Sequence, residues 1–157
     1  MKVKLLYIGK TGEQALSQLL DKYEKRIKAL ASFEKEEIPA LKNTKNLSVA
    51  EQKNKEGELL LKRIKTSDFV VLLDEKGKTF DSREFAGFLQ QKMNSGIKQL
   101  LFIIGGPYGF SPAIYRRGDF RLSLSEMTFS HQLIRLIFME QLYRAFTIIH
   151  HHPYHND

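Results

Sequence analysis

Residues 100–109 read Leu100-Leu101-Phe102-Ile103-Ile104-Gly105-Gly106-Pro107-Tyr108-Gly109. Five apolar residues closed by glycine form the pattern of a strand buried on both faces, as in a parallel sheet. A loop at the carboxyl end of such a strand is where open α/β sheets take small molecules. Glycine lets a ligand come close to the main chain, and Pro107 stiffens the bend. The spacing is neither Gly-x-Gly-x-x-Gly nor Gly-x-x-x-x-Gly-Lys-Ser/Thr, which disfavours a dinucleotide fingerprint and a P-loop. Taken alone, the loop reads equally well as a plain tight turn.

Outward from this stretch, short apolar runs alternate with helical ones. Val3–Ile8 predicts a first strand, and Glu13 to Ala31 a helix, with Leu16, Leu19, Leu20, Tyr23, Ile27 and Leu30 at helical spacing. Phe33–Ile38 is a shorter, more charged strand, expected near a sheet edge. Ser48-x-x-Glu51 opens a second helix running to about Lys65. Phe69–Leu73 predicts another buried strand, with Asp74–Lys78 as its exit loop. Asp81-x-x-Glu84 caps a third helix reaching Asn94, and Ser111-Pro112 opens a short fourth. Phe120–Leu124 is the last strand, and Ser130 caps a final helix to Ile149, followed by a polar tail, His150–Asp157. This alternation predicts one α/β domain over residues 1–157, a mainly parallel sheet with helices on both faces.

The 157 residues suffice for a real core, and no apolar run approaches the roughly 20 residues of a membrane span. The amino terminus reads as a strand start and not as a signal peptide. Cysteine is absent, which excludes disulfides and thiolate chemistry and is compatible with the cytoplasm. The net charge of +7 is lopsided: residues 1–66 hold 15 Lys+Arg against 9 Asp+Glu. Lys42, Lys45, Lys53, Lys55, Lys62, Arg63 and Lys65 make that half a candidate surface for RNA, or else a solubilising face.

The final helix is apolar on nearly every side, from Leu133 and Ile134 through Ile137, Phe138 and Leu142 to Ile148 and Ile149. A surface helix needs one apolar stripe. The expected second cover is another subunit, in preference to a wholly internal helix. If the strands ending at Leu73, Ile104 and Leu124 are neighbours, their loops converge. Main-chain groups there suit a purine ring, with Leu73, Leu124 and Met127 as apolar contacts. Ser123, Ser125 and Thr128 also read as ordinary loop and cap residues. His150, His151 and His152 are adjacent and lack acidic partners at ligand spacing, so no metal site is expected. Glu140 and Arg144 stand four apart and can pair on the helix surface, or Arg144 can face a substrate. His155, in Pro153-Tyr154-His155, is either solvated or a proton acceptor.

In order and spacing these segments resemble one family. They are Leu73-Asp74-x-x-Gly77-Lys78, Ile104-Gly105-Gly106-Pro107-x-Gly109, Leu122-Ser123-Leu124-Ser125-x-Met127-Thr128, His131-x-Leu133-x-Arg135, Glu140-Gln141-Leu142-Tyr143-Arg144-Ala145 and Pro153-Tyr154-His155. The pattern is similar to the large-subunit ribosomal RNA pseudouridine N3-methyltransferases of the SPOUT superfamily (the RlmH family) along essentially the whole chain. The resemblance implies a deep carboxyl-terminal trefoil knot, an S-adenosylmethionine site, a homodimer, and a substrate pseudouridine in helix 69 of 23S rRNA within the assembled ribosome. By position, the cofactor would meet Leu73, Gly105, Leu124, Ser125, Glu126, Met127, Thr128 and Phe129. The N3 of pseudouridine is a protonated imide, so its proton must leave or its anion must be stabilised. His155 is the expected acceptor, with Tyr154 against the base and Arg144 stabilising negative charge. A catalytically silent RNA- or ribosome-binding dimer of the same fold is the alternative, and a small-nucleotide regulator a third. Cofactor binding and salt-sensitive RNA affinity separate them.

Overall fold

The computed structural model describes residues 1–156, and Asp157 lies outside the described residues. The strands are β1 (Lys2–Ile8), β2 (Phe33–Ile38), β3 (Phe69–Thr79), β4 (Gln99–Ile104) and β5 (Phe120–Ser123). The helices are α1 (Gln14–Lys28), α2 (Val49–Leu61), α3 (Ser82–Asn94), α4 (Pro112–Arg117) and α5 (Leu133–Ile149). The sheet order is β2-β1-β4-β3-β5, with every named pairing parallel. The charged strand β2 is at an edge and the apolar β4 at the centre, as their compositions require.

Strand alternation splits the core into two layers. Leu5, Tyr7, Val71, Leu100, Phe102 and Ile104 face one side, with Leu20, Ile27, Phe85, Leu89, Phe138 and Leu142 from α1, α3 and α5 packed on them. Leu6, Val70, Leu72, Leu101 and Ile103 face the other, under Leu60 of α2 and Ile114 of α4. Successive side chains on opposite faces are why both covers are needed. Ser48, Asp81 and Ser111 accept the backbone N–H groups of Glu51, Glu84 and Ile114, starting α2, α3 and α4 where the sequence places them. Ser130 Oγ accepts from Leu133 N at 3.1 Å and so fixes the turn that enters α5.

Helix α1 ends at Lys28, short of the expected Ala31, β5 ends at Ser123, one residue short of Leu124, and two further boundaries differ by more. Helix α2 stops at Leu61, short of Lys65, because Asp68 turns back to accept from Lys65 N at 2.8 Å. The segment Asp74–Lys78 is not a free exit loop. Strand β3 continues to Thr79 through a register shift, and Lys78 pairs with Leu122 and Thr79 with Ser123 after Leu73 has already paired with Leu122. This irregular stretch lies directly on β5. A Cβ on Gly77 would stand 2.7 Å from the main chain of Arg121 and Leu122, so only glycine allows the approach.

Candidate active site

Because the strands are parallel, their carboxyl ends share one edge. There the exits of β3, β4 and β5 surround a cleft of about 580 Å³. Its wall includes Leu73, Asp74, Ile104, Gly105 through Phe110, Leu122, Leu124 and Met127 through His131. Seven of the eight residues expected at the cofactor line it: Leu73, Gly105, Leu124, Ser125, Met127, Thr128 and Phe129. Glu126 is not among the lining residues. Ser125 Oγ accepts from Met127 N at 2.9 Å and Ser123 Oγ donates to Ser125 O at 2.9 Å, so these hydroxyls shape the turn. Met127 and Phe129 stand 77% and 41% exposed at the mouth, an unusual state for large apolar side chains.

The structure adds residues to which the sequence reading gave no role here. Tyr115, from α4, donates to Asp74 Oδ2 at 2.7 Å and braces the β3 excursion. Burial, then the Asp74 hydrogen bond, pushes its phenol up to about 12, so it is a permanent donor at neutral pH. His131 and Ile134 close the α5 side of the cleft, and burial lowers the His131 pKa, with Arg135 adding to the effect. Arg135 is buried behind them. It donates to Ile8 O at 2.8 Å and to Gly9 O and Thr11 Oγ1 at 3.0 Å, and its guanidinium lies 4.1 Å from the Tyr7 ring centre. This arginine ties the start of α5 to the exit of β1. No local pattern distinguishes such an arginine from a surface one.

Arg144, Tyr154 and His155 gather with one another but not at the cleft. Arg144 donates to Glu140 Oε1 at 2.6 Å, and Tyr154 donates to the same oxygen at 3.2 Å. Arg144 Nη1 lies 3.3 Å from His155 Nδ1. A guanidinium only donates, so Nδ1 accepts and the ring proton sits on Nε2. The Tyr154 ring packs on Tyr143 at 4.8 Å and under the Arg144 guanidinium at 4.9 Å. Burial, followed by its bond to Tyr23 and the Glu140 charge, pushes the Tyr154 phenol up to about 12. The Glu140 hydrogen bond raises Arg144 further, keeping it charged. The cluster sits near the carboxyl end of α5, whereas the cleft meets that helix at Ile134. Ten residues separate Ile134 from Arg144, about 15 Å along a helix. Among the described residues no group of three His, Asp or Glu side chains is placed to hold a metal ion, and no helix is long and apolar enough to cross a membrane.

Fold and site together define an α/β protein with a small-molecule cleft where three parallel strands end. A family model described as "Predicted SPOUT methyltransferase" matches residues 1–155. The chain is 55% identical over 156 residues to the ribosomal RNA large subunit methyltransferase H of Christiangramia forsetii, covering 99% of both chains. It is 54% identical to the protein of that name from Flavobacterium johnsoniae, with the same coverage. To that of Parabacteroides distasonis it is 52% identical over the full length of both. The chain belongs to the SPOUT methyltransferase family, within the group of these H-type relatives.

Proposed function

We propose that this protein methylates N3 of a pseudouridine in helix 69 of 23S rRNA, on the assembled ribosome in the cytoplasm, as an S-adenosylmethionine-dependent homodimer. The observation that carries the reading is the convergence of the three strand exits on one cleft, in a chain matching methyltransferases from end to end. The lining fits the cofactor: Leu73, Leu122, Leu124 and Ile134 supply apolar surface for a purine, and the main chain of residues 105–109 and 124–129 supplies donors and acceptors. When bound, S-adenosylmethionine supplies an electrophilic methyl group on a sulfonium. The protein's share is to hold the imide nitrogen in line and to manage its proton. Arg144 stabilises the developing imide anion and His155 takes the proton, with Tyr154 against the base. In the free chain Arg144 occupies Nδ1 of His155, and an incoming anionic RNA competes for the guanidinium and releases that lone pair.

The 15 Å separation along α5 supports a site shared between subunits. If two α5 helices pack antiparallel about a twofold axis, the cleft end of one meets the tail end of its mate. Leu133, Ile137, Arg144 and Ile148, spaced four, seven and four residues apart, fall on one side of α5 and are not fully buried, and Met127 and Phe129, shortly before the helix, are exposed. The trefoil knot belongs to the same proposal, with the segment after β5 passing beneath the β3 excursion. The close approach at Gly77 and the Arg135 anchor on the β1 exit both favour that path.

The direct test is transfer of labelled methyl from S-adenosylmethionine to assembled ribosomes and to free rRNA, with mapping of the modified base. A protein that binds ribosomes yet transfers no methyl is the silent binder instead.

A further inference from the structure

Helix α2 carries Lys55-Glu56-Gly57-Glu58, and the two central residues are buried. Glu56 is 4% exposed, and its Oε1 has no hydrogen-bond partner among the described residues. Gln52, one turn back, is the side-chain partner of the carboxyl group. A buried carboxyl with an unsatisfied oxygen costs stability that an apolar residue would not. What lies over it is the middle of the glycine loop. A Cβ built on Gly106 would overlap Glu56 Oε2 and stand 2.9 Å from both Oε1 and Cδ. The next residue, Gly57, seats the far end of the same loop, because a Cβ there would overlap Ser111 Oγ and stand 3.2 Å from Ser111 Cβ. Gly109 has φ +82° and needs glycine for its backbone, whereas Gly106 is not among the residues with positive φ. At Gly106 the three nearest atoms to such a Cβ all belong to Glu56, and the carboxyl is hemmed in by its burial.

Two consecutive residues of α2 therefore support residues 106 and 111 from behind, while residues 105–110 face the cleft. We infer that Glu56 is a positioning residue for the cofactor loop: it sets the height of Gly106 and so the placement of the main-chain groups that hold the ligand, without touching the ligand. This inference rests on the proposal that the cleft takes S-adenosylmethionine. It goes beyond it by assigning a function to a helix on the opposite face of the sheet from α5.

The test is calorimetric titration of the full chain with S-adenosylmethionine, paired with thermal melts and with methyl-transfer kinetics. Glu56→Gln keeps the shape and is expected to bind within about twofold of the parent protein. Glu56→Ala and Gly106→Ala are each expected to weaken binding by about tenfold; for Glu56→Ala, which lies outside the cleft lining, kcat at saturating cofactor is expected to change less than about twofold. Because the two side chains compete for one space, the double variant is expected to bind no worse than Gly106→Ala alone. Glu56→Asp, one methylene shorter, repeats the cycle with Gly106→Ala without emptying the site. Lower melting temperatures with unchanged affinity per folded molecule would reduce Glu56 to a packing residue and overturn the inference. Fully additive losses in both cycles would overturn it too. No heat from the parent protein would instead remove the cofactor reading on which it stands.

Discussion

Combining two inactive variants tests the division of labour along α5. Gly105→Val fills the loop: a Cβ at Gly105 already meets Gly109 C, Gly109 O and Phe110 Cε1 at 3.2 Å, so two further methyl groups have no space. His155→Ala leaves the cleft intact and removes the proposed acceptor. Each variant alone is expected to be inactive. Co-expression in equal amounts gives half heterodimers if subunits pair at random. In each heterodimer one site joins an intact cleft to an intact tail, and the other joins the two damaged halves. The mixture is therefore expected to recover about a quarter of parental methyl transfer per site. If cleft and tail served the same chain, every site in the mixture would carry a lesion and the recovery would be zero. The assay is labelled-methyl transfer to ribosomes, using heterodimers purified through two different tags. Purified heterodimers should then reach about half of the parental rate. Zero recovery in a sample shown to contain heterodimer would refute the shared site, and with it the argument from the 15 Å separation.

Arg135→Met leaves the Ile8 and Gly9 carbonyls without their buried donor and is expected to cost about 3 kcal/mol, read from denaturant midpoints; a change under about 1 kcal/mol would contradict the anchor. Burial raises the Glu56 carboxyl above its ordinary value, so the folded state holds that proton more tightly than the unfolded chain. The stability this group contributes is complete below the ordinary carboxylate range and is lost as pH rises through the folded value. Glu56→Gln removes the dependence and is expected to gain stability relative to the parent as pH rises out of the ordinary carboxylate range; a difference that stays flat through that rise would sink the claim. Lys42, Lys45 and Lys53 lie on the β2 exit and the first turns of α2, at the carboxyl edge of the sheet, while Lys62 and Lys65 lie just past the other end of α2, which places Lys62 about 14 Å along the helix from Lys53. Charge reversal of the first three is expected to weaken ribosome binding and flatten its salt dependence, and reversal of the last two to change neither; equal effects from both sets would count against docking at the cleft edge.

Much of the fold was legible because burial on two faces leaves a one-dimensional signature. Runs such as Phe69–Leu73 and Leu100–Ile104 cannot sit at a surface, and Ser48, Asp81 and Ser111 announce helix starts by their chemistry. The extension of β3 to Thr79 was not legible, since a polar stretch with Gly77 looks like a loop until β5 lies against it. The residues of the cleft lining were reached through the family resemblance; local pattern alone left residues 105–109 equally a tight turn and Ser123, Ser125 and Thr128 ordinary loop residues, because a turn and a ligand loop use the same residue types. Tyr115 and Glu56 were not reached, as each matters only through a partner 41 or 50 residues away, Asp74 for the first and Gly106 for the second.

The sequence by itself determined the alternation of strands and helices, the burial of β4 on both faces and the glycine loop at its end, because apolar periodicity and backbone freedom are local properties of a chain. Only the tertiary structure decided that β3, β4 and β5 end side by side, that Arg135 and Glu56 lie inside, and that Arg144 and His155 gather near the far end of α5, away from the cleft. Those facts depend on which distant segments meet, and contact between distant segments follows from packing in three dimensions, which no single stretch of sequence records.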